Sequence, residues 1–435
     1  MIYANIIYTL SEKENLYMKK HFISLFIIIT VLFSLFSFTA GATTKDSRIS
    51  QSMSAFLDIK GEIIGVSSKG EWDMYPENSV PAIKEAAKTD IDFIAVDVKR
   101  AYCGTLILFS DDTTERMLDS DEPLSVADTD YSVLSAYRLK NACGGSNAAV
   151  TEYSVSTLSE AIDTARECDI PLILRCNALI LTEVTRLLIE KEALSMCIIL
   201  TDAKPSEIEE AVRNEDEKPY IIGSKKGNVV FDIYSYMNAL TELNASGLEL
   251  KTSNRYGINY YKSLLAVYSE GLRIIADPTV PETCGARQDS EKWWDDLISR
   301  GYSVILTDHA ELFSDYKKRN SEARIRLEDL YDKYVTNHTL PDFRDEALND
   351  LKKAYTDAVS FTEGLLNDNS SALVELNDAY SALSKTANDI SKNFAALEDG
   401  SAGTSITVPR IILCVLAVIA VVTVQIYFFK KRRKD

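Results

Sequence analysis

The chain has 435 residues, enough for a full core plus accessory segments, and carries a formal net charge of -18. That acidic balance excludes a nucleic-acid binder, which needs a basic face to neutralise phosphates. Only three histidines occur, His21, His309 and His338, so no neighbouring pair of imidazoles is available along the sequence.

In chain order, the start carries Met18, Lys19 and Lys20, an apolar run over 22–38 and then Ala40, Gly41 and Ala42. These are the three regions of an export signal, so residues 1–42 read as a signal peptide region with Met1 or Met18 as its start. An uncleaved N-terminal anchor is the alternative.

From 61 to 316, short β-branched runs alternate with amphipathic helical stretches, the pattern of a mainly parallel sheet covered by helices. Strands are predicted over 63–66, 93–98, 106–109, 171–175, 197–200, 220–222, 248–250, 272–276 and 304–306, and helices over 79–88, 158–167, 183–191, 205–212, 260–269 and 290–300. The fold class is α/β, and about 250 residues of this alternation suit a (β/α)8 TIM barrel. Nine strands are one too many, so one is not a stave. A doubly wound open sheet is the alternative, disfavoured because no Gly-x-Gly-x-x-Gly follows the first strand.

Beyond Tyr316 the pattern becomes purely helical. Leu327, Leu330, Tyr331 and Tyr334 form one stripe, Leu348, Leu351 and Tyr355 a second, and Leu373, Leu376, Tyr380, Leu383 and Ile390 a third. Residues 323–395 therefore read as a small three-helix bundle or spacer, and 396–410 as a linker. Residues 411–429 are free of charge and precede the basic run Lys430 to Lys434, so a C-terminal transmembrane helix with a cytoplasmic tail over 430–435 is predicted. The resulting expectation is a single-pass cell-membrane protein, its main domains extracellular at the cell surface. Of the seven cysteines, Cys414 falls in that span; a Cys103–Cys143 bridge and free thiols both stay open for the rest.

The sequence Ile63-Ile64-Gly65-Val66-Ser67-Ser68-Lys69-Gly70 is followed by Pro76-Glu77-Asn78-Ser79, then Phe93-Ile94-Ala95-Val96-Asp97-Val98, then Phe109-Ser110-Asp111, and near the end by Leu306-Thr307-Asp308. This ordered series resembles the glycerophosphodiester phosphodiesterase family, across roughly residues 61–316. The resemblance implies a TIM barrel of the phosphodiesterase type and a phosphoric diester hydrolase of lipid metabolism. The family's two catalytic histidines correspond to Ser68 and Ser110, and its phosphate-steadying arginine to Lys69. Its first metal-binding glutamate corresponds to Ala95, whereas Glu77, Asn78 and Asp97 match. The third metal carboxylate belongs on the strand that here reads Leu172-Ile173-Leu174-Arg175-Cys176, which contains no acid.

A serine hydroxyl does not titrate near neutrality and cannot shuttle the proton that an imidazole carries. No cofactor is expected with assurance: a divalent cation, calcium or magnesium, would have only Glu77 and Asp97 as matching ligands and would be held weakly. Lys69, Glu77, Asn78, Asp111 and Arg175 are the candidate ligand-binding residues, and Arg175 is a candidate occupant of the vacated cation position. The leading expectation is a pseudoenzyme, a membrane-anchored binding module for a phosphorylated polyol, an envelope polymer or a protein partner. The alternatives are an active metal-dependent hydrolase with an altered site and a structural surface protein. His309, Asp277 and Glu282 follow late strands and are secondary candidates. Separately, Leu327-Glu328-Asp329-Leu330-Tyr331 and Ala379-Tyr380-Ser381-Ala382-Leu383 resemble small helical modules of Gram-positive surface proteins, which implies spacing or envelope association.

Overall fold

The computed structural model describes residues 47–213, 215–225, 230–243, 245–250, 271–277, 289–337, 340 and 349–398. By its contacts the chain divides after Gln51, and of the first unit only 47–51 are described, as the opening of helix α1 (Arg48–Leu57). The rest of this section concerns the second unit.

Eight strands run parallel and close on themselves. They are β1 (Ile64–Ser68), β2 (Phe93–Arg100), β4 (Leu172–Cys176), β5 (Cys197–Thr201), β6 (Tyr220–Lys225), β7 (Gly247–Leu250), β8 (Arg273–Ala276) and β9 (Val304–Thr307). Each pairs with its neighbour in that order, β9 pairs with β1, and the β1–β2 pairing completes the ring. The ninth predicted strand, β3 (Leu106–Leu108), lies antiparallel on the far end of β2, with Val98 opposite Leu108. It is the surplus element. Every residue of β1, β5, β7, β8 and β9 is buried, which is why these strands read as continuous apolar runs without alternation.

The connecting helices begin where side chains supply the missing acceptors. Ser79 Oγ accepts from Ala82 N at the start of α2 (Val80–Ala86), and Thr157 with Glu160 forms a reciprocal capping box on α4 (Leu158–Glu167). A single turn, α3 (Tyr131–Leu134), lies between them in the 109–157 insertion, whose own small core holds Phe109, Met117, Leu118, Val126 and Leu139. Outside β4 to β6 come α5 (Leu181–Glu190), α6 (Pro205–Val212) and α7 (Val230–Glu242), and α8 (Glu291–Arg300) precedes β9. Gly65 has a packing reason: a Cβ there would lie 2.6 Å from the Phe313 ring, so its absence lets the helix after β9 settle onto the strand.

That helix, α9 (Ala310–Tyr331), does two jobs. Phe313 and Tyr316 pack with Trp294 of α8, at ring-centroid distances of 4.9 and 5.6 Å, and close the barrel wall. Its second half buries Ala323 and Leu327 beside α11 (Leu373–Glu398), which also packs on α10 (Asn349–Leu366). The predicted change of pattern at Tyr316 is thus no break in the backbone. Tyr316 Oη donates to Asp295 Oδ1 at 2.8 Å, and Leu373 N and Val374 N donate to these two side chains, so the wall itself caps α11.

The expected transmembrane helix is corrected, because no helix among the described residues is long and apolar enough to cross a membrane. A bilayer needs about 20 consecutive apolar residues. The two long helices, α9 with 22 residues and α11 with 26, carry charged side chains throughout and bury one stripe only. Residues 1–42 and 411–435, on which the signal peptide, the span and the basic tail were read, lie outside the described residues, as do His21 and His338. The readings that depended on the span are withdrawn with it: single-pass cell-membrane localisation, extracellular main domains, cell-surface placement and the membrane as partner.

Candidate functional site

At the carboxyl ends of β1, β2 and β4 the chain gathers most of the charged residues singled out from the sequence. Lys69 leaves β1 in the left-handed region (φ 65°), donates its backbone N–H to Ala95 O at 2.7 Å, and accepts from Asn78 N at 3.0 Å. Gly70 follows at φ 81°, where a Cβ would stand 2.7 Å from the backbone of Ala82; the tight turn therefore requires glycine. This turn brings Glu77 and Asn78, both buried, over the strand ends.

Asn78 holds the second strand by both faces of its amide. Its Oδ1 accepts from Asp97 N at 2.8 Å, and its Nδ2 donates to Asp97 Oδ2 at 3.0 Å and to Ser110 Oγ at 2.7 Å. Ser110 Oγ lies 2.6 Å from Asp97 Oδ2 and 3.0 Å from Glu77 Oε1. Its single proton can serve only one of them at a time, and the shorter contact favours Asp97. Ser68, buried at the end of β1, accepts from Arg175 Nη2 at 3.0 Å.

Arg175 joins these halves. It stands opposite Asp97 in the β2–β4 register, with Nε 2.9 Å from Asp97 Oδ1 and Nη1 donating to Asp277 Oδ2 at 3.1 Å. The Nε–H is not directed at an acceptor among the described residues, so the Asp97 contact is an ion pair, while the Asp277 contact is also a hydrogen bond. Burial opposes the charge of Asp97, yet Arg175, Lys69 and the hydrogen bonds from Ser110 and Asn78 outweigh it and bring its carboxyl down to about 2. The same balance, burial against Arg116 and Lys69, leaves Glu77 below the usual carboxylate range.

Arg116 has no counterpart among the residues predicted from sequence. It reaches back from the insertion, with Nη2 at 2.6 Å from Glu77 Oε1, Nε at 2.6 Å from Asp111 Oδ2, and Nη1 on Cys143 O. Lys69 Nζ takes the other Glu77 oxygen at 3.1 Å. Asp111 is therefore held five residues along its own chain. Nothing in the spacing of Asp111 and Arg116 signals that both would meet Glu77's surroundings.

Asp277, a secondary candidate from sequence, is a partner of Arg175, while Glu282 lies outside the described residues. Glu249, buried within β7, accepts from Ser224 Oγ on the neighbouring strand. An acid inside the run Gly247-Leu248-Glu249-Leu250 was the available signal for it. Asp308, just beyond β9, makes a buried acid pair with Asp289. Asp289 Oδ2 accepts from Thr307 Oγ1 at 2.9 Å and from Asp308 N, Trp294 Nε1 donates to Asp289 Oδ1 at 2.7 Å, and Trp72 Nε1 donates to Asp308 Oδ1 at 3.2 Å. Burial, then Asp289 and Asp277, push the Asp308 carboxyl up to about 6. Asp308 is therefore a carboxyl at the mouth held above the ordinary carboxylate range. His309 heads α9 half-buried.

These residues do not fit a divalent ion. Glu77 is taken by Lys69 and Arg116, Asp97 by Arg175, and the strand position facing Asp97 presents a guanidinium in place of an oxygen. Among the described residues no group of three or more His, Cys, Asp and Glu could hold a metal. Cys103 and Cys143 are both free thiols, as are Cys168, Cys176 and Cys197.

The profile of the Glycerophosphoryl diester phosphodiesterase family matches residues 69–200, which hold Lys69, Glu77, Asn78, Asp97, Ser110, Arg116 and Arg175. No curated protein matches the chain. Among solved structures, a glycerophosphoryl diester phosphodiesterase from Parabacteroides distasonis is 17% identical, with 61% of this chain and 90% of that one covered at a TM-score of 0.50. A phosphodiesterase from Oleispira antarctica, solved with sn-glycerol-3-phosphate, is 16% identical over 57% of this chain and 94% of its own, at a TM-score of 0.44. At such identity the first likeness establishes the barrel and no activity. The family profile over residues 69–200, together with the closed parallel barrel, supports a distant relationship between this barrel and the glycerophosphodiester phosphodiesterase superfamily.

Proposed function

We propose that this barrel does not run metal-dependent hydrolysis and instead holds an intact phosphodiester at its mouth. The observation that carries the reading is the Arg175 clamp, which closes Asp97 and Asp277 onto a guanidinium where a hydrolytic centre needs a free cation position. Ser68 and Ser110 add to it. Loss of one essential acid or base commonly costs about 10² to 10⁴ in rate, and both serines lie inside the hydrogen-bonded network instead of facing a substrate with a titrating proton.

Charge decides the class of ligand. Three cations, Lys69, Arg116 and Arg175, face four carboxylates, Glu77, Asp97, Asp111 and Asp277. The net charge of one negative repels a doubly charged phosphate monoester about twice as strongly as a singly charged diester, and a zwitterionic diester also gives the carboxylates a cation to face. Lys69 and Arg116 keep 21% and 30% of their side-chain surface, so they are the groups a phosphate can reach. The helices beyond the barrel serve in this reading as a support built onto its wall through Tyr316 and Asp295.

The test uses the full chain with glycerophosphocholine. Calorimetry is expected to detect binding that Lys69→Gln weakens, and glycerol 3-phosphate is expected to bind less well. No release of choline or glycerol 3-phosphate is expected with calcium or magnesium present; turnover abolished by Asp97→Ala refutes the reading. A second reading, hydrolysis with an altered site, draws support from Asp308, whose carboxyl burial and the neighbouring carboxylates push up to about 6. Turnover lost in Asp308→Asn would favour it.

A further inference from the structure

We infer that Arg175 is a resident counter-cation that bars divalent ions from the barrel mouth, and that removing its charge turns the oxygens around it into a divalent-cation site. The inference concerns the mouth alone and holds whether or not a phosphodiester is its ligand.

The guanidinium stands among oxygens supplied by different strand ends. Asp97 Oδ1 lies 2.9 Å from Nε, Asp277 Oδ2 3.1 Å from Nη1 and Ser68 Oγ 3.0 Å from Nη2. Only 15% of the Arg175 side-chain surface is accessible, and Asp97 and Asp277 keep 19% and 17%, so water screens the three charges weakly. Two carboxylates in such a place need a cation, and here the chain itself provides one. The identity of the residue matters as much as its charge. A planar fork reaches Asp97, Asp277 and Ser68 at once, and it does so from the strand position directly across from Asp97.

A hard divalent ion entering this space would have to displace a guanidinium that is tethered and therefore always present. It would also find Glu77 occupied by Arg116 and Lys69. With the guanidinium gone the balance reverses. Asp97 and Asp277 lose the cation that they share, leaving only Lys69, itself bonded to Glu77, to act on Asp97, and the oxygens of both, with the Ser68 hydroxyl and water, form a hard, anionic donor set of the kind calcium takes. A single positive charge short of that, such as a lysine ammonium, still offsets the carboxylates and leaves no such demand.

Thermal unfolding of the full chain with and without millimolar calcium, with chelator as the reversal, tests this. Wild type and Arg175→Lys are expected to unfold at the same temperature in both conditions. Arg175→Met is expected to unfold at a lower temperature without calcium and to regain about 3 °C or more with it, a response that chelator removes. If Arg175→Met is unfolded without calcium, recovery of its far-ultraviolet dichroism on adding calcium supports the inference. Failure to recover, with Arg175→Lys folded, overturns it. A chelator-reversible calcium response in wild type, or a folded Arg175→Met that gives none, overturns it equally.

Discussion

Arg273, the first residue of β8, is buried at the opposite end of the barrel from the charged mouth, and all five of its N–H donors are used. Nε donates to Phe56 O at 3.2 Å, Nη1 to Gly61 O and Glu62 O at 3.4 and 2.9 Å, and Nη2 to Ala55 O at 2.7 Å and to Asp58 O. Three of these carbonyls belong to the last turn of α1 and its exit, which no following helical turn can satisfy. One side chain therefore fastens the plug formed around Phe56, which packs edge-on against Phe93 at 5.5 Å, to the floor of the barrel. Arg273→Met keeps the apolar stem and removes every donor. Five charge-assisted bonds at about 1.5 kcal/mol each, set against about 3 kcal/mol for holding a charge whose pKa burial has pulled down to about 10, leave a net loss of about 4 kcal/mol. For a barrel of this size that lowers the midpoint of thermal unfolding by about 10 °C. Circular dichroism during urea and thermal unfolding at neutral pH measures it, with Arg273→Lys expected between the two. An unfolding free energy for Arg273→Met within about 1 kcal/mol of wild type would show that water or rearrangement satisfies those carbonyls, and the capping argument would fall.

Two further outcomes follow from the acid groups of the mouth. The carboxyl of Asp308 sits up at about 6 against an ordinary 3.8, so the folded state holds its proton more tightly than the unfolded chain does. Its contribution is fully present below about pH 4 and is lost as pH rises through 6; Asp308→Asn, which can still accept from Trp72, should raise the unfolding midpoint at pH 8 and leave it unchanged at pH 4, and equal shifts at both would refute this. Asp97 has the opposite sign: its carboxyl, down at about 2, contributes about 2 to 3 kcal/mol above pH 4 that is lost as pH falls towards 2. Urea midpoints taken between those two pH values should therefore fall in wild type and flatten in Asp97→Asn, and an unchanged slope would contradict the assignment.

The eight barrel strands were legible in the sequence because a parallel barrel buries both faces of each strand, and runs such as Ile198-Ile199-Leu200 permit little else. Helix limits were legible where a cap announces them, as at Thr157 with Glu160, and blurred where α9 crosses from barrel to bundle without a Gly or Pro to stop it. The mouth was legible as far as its strand-end residues went, since register alone sets Ser68 beside Ala95 and Asp97 beside Arg175. Arg116 and Asp289 were not, and Asp277 was legible only as a residue following a late strand, because their roles come from long side chains or loops converging across 39, 19 and 102 positions of sequence, and no local period encodes such meetings.

The departures from the phosphodiesterase pattern that the sequence resemblance implies are physically linked, which is why they cannot be weighed one at a time. A serine at position 110 is small enough to sit between Glu77 and Asp97 and still take the Asn78 amide. An imidazole there would need that space and would set its own protonation against Arg175 and Lys69, both within reach of Asp97. Ser68, likewise, offers Arg175 Nη2 an acceptor that a protonated histidine could not. Arg175 in turn supplies the positive charge without which Asp97 and Asp277 would repel one another in a poorly screened place. Each substitution makes the others tolerable. A mouth closed by its own ion pairs is therefore a consistent alternative arrangement of the barrel, and its chemistry is to be sought in what Lys69 and Arg116 can still reach from it.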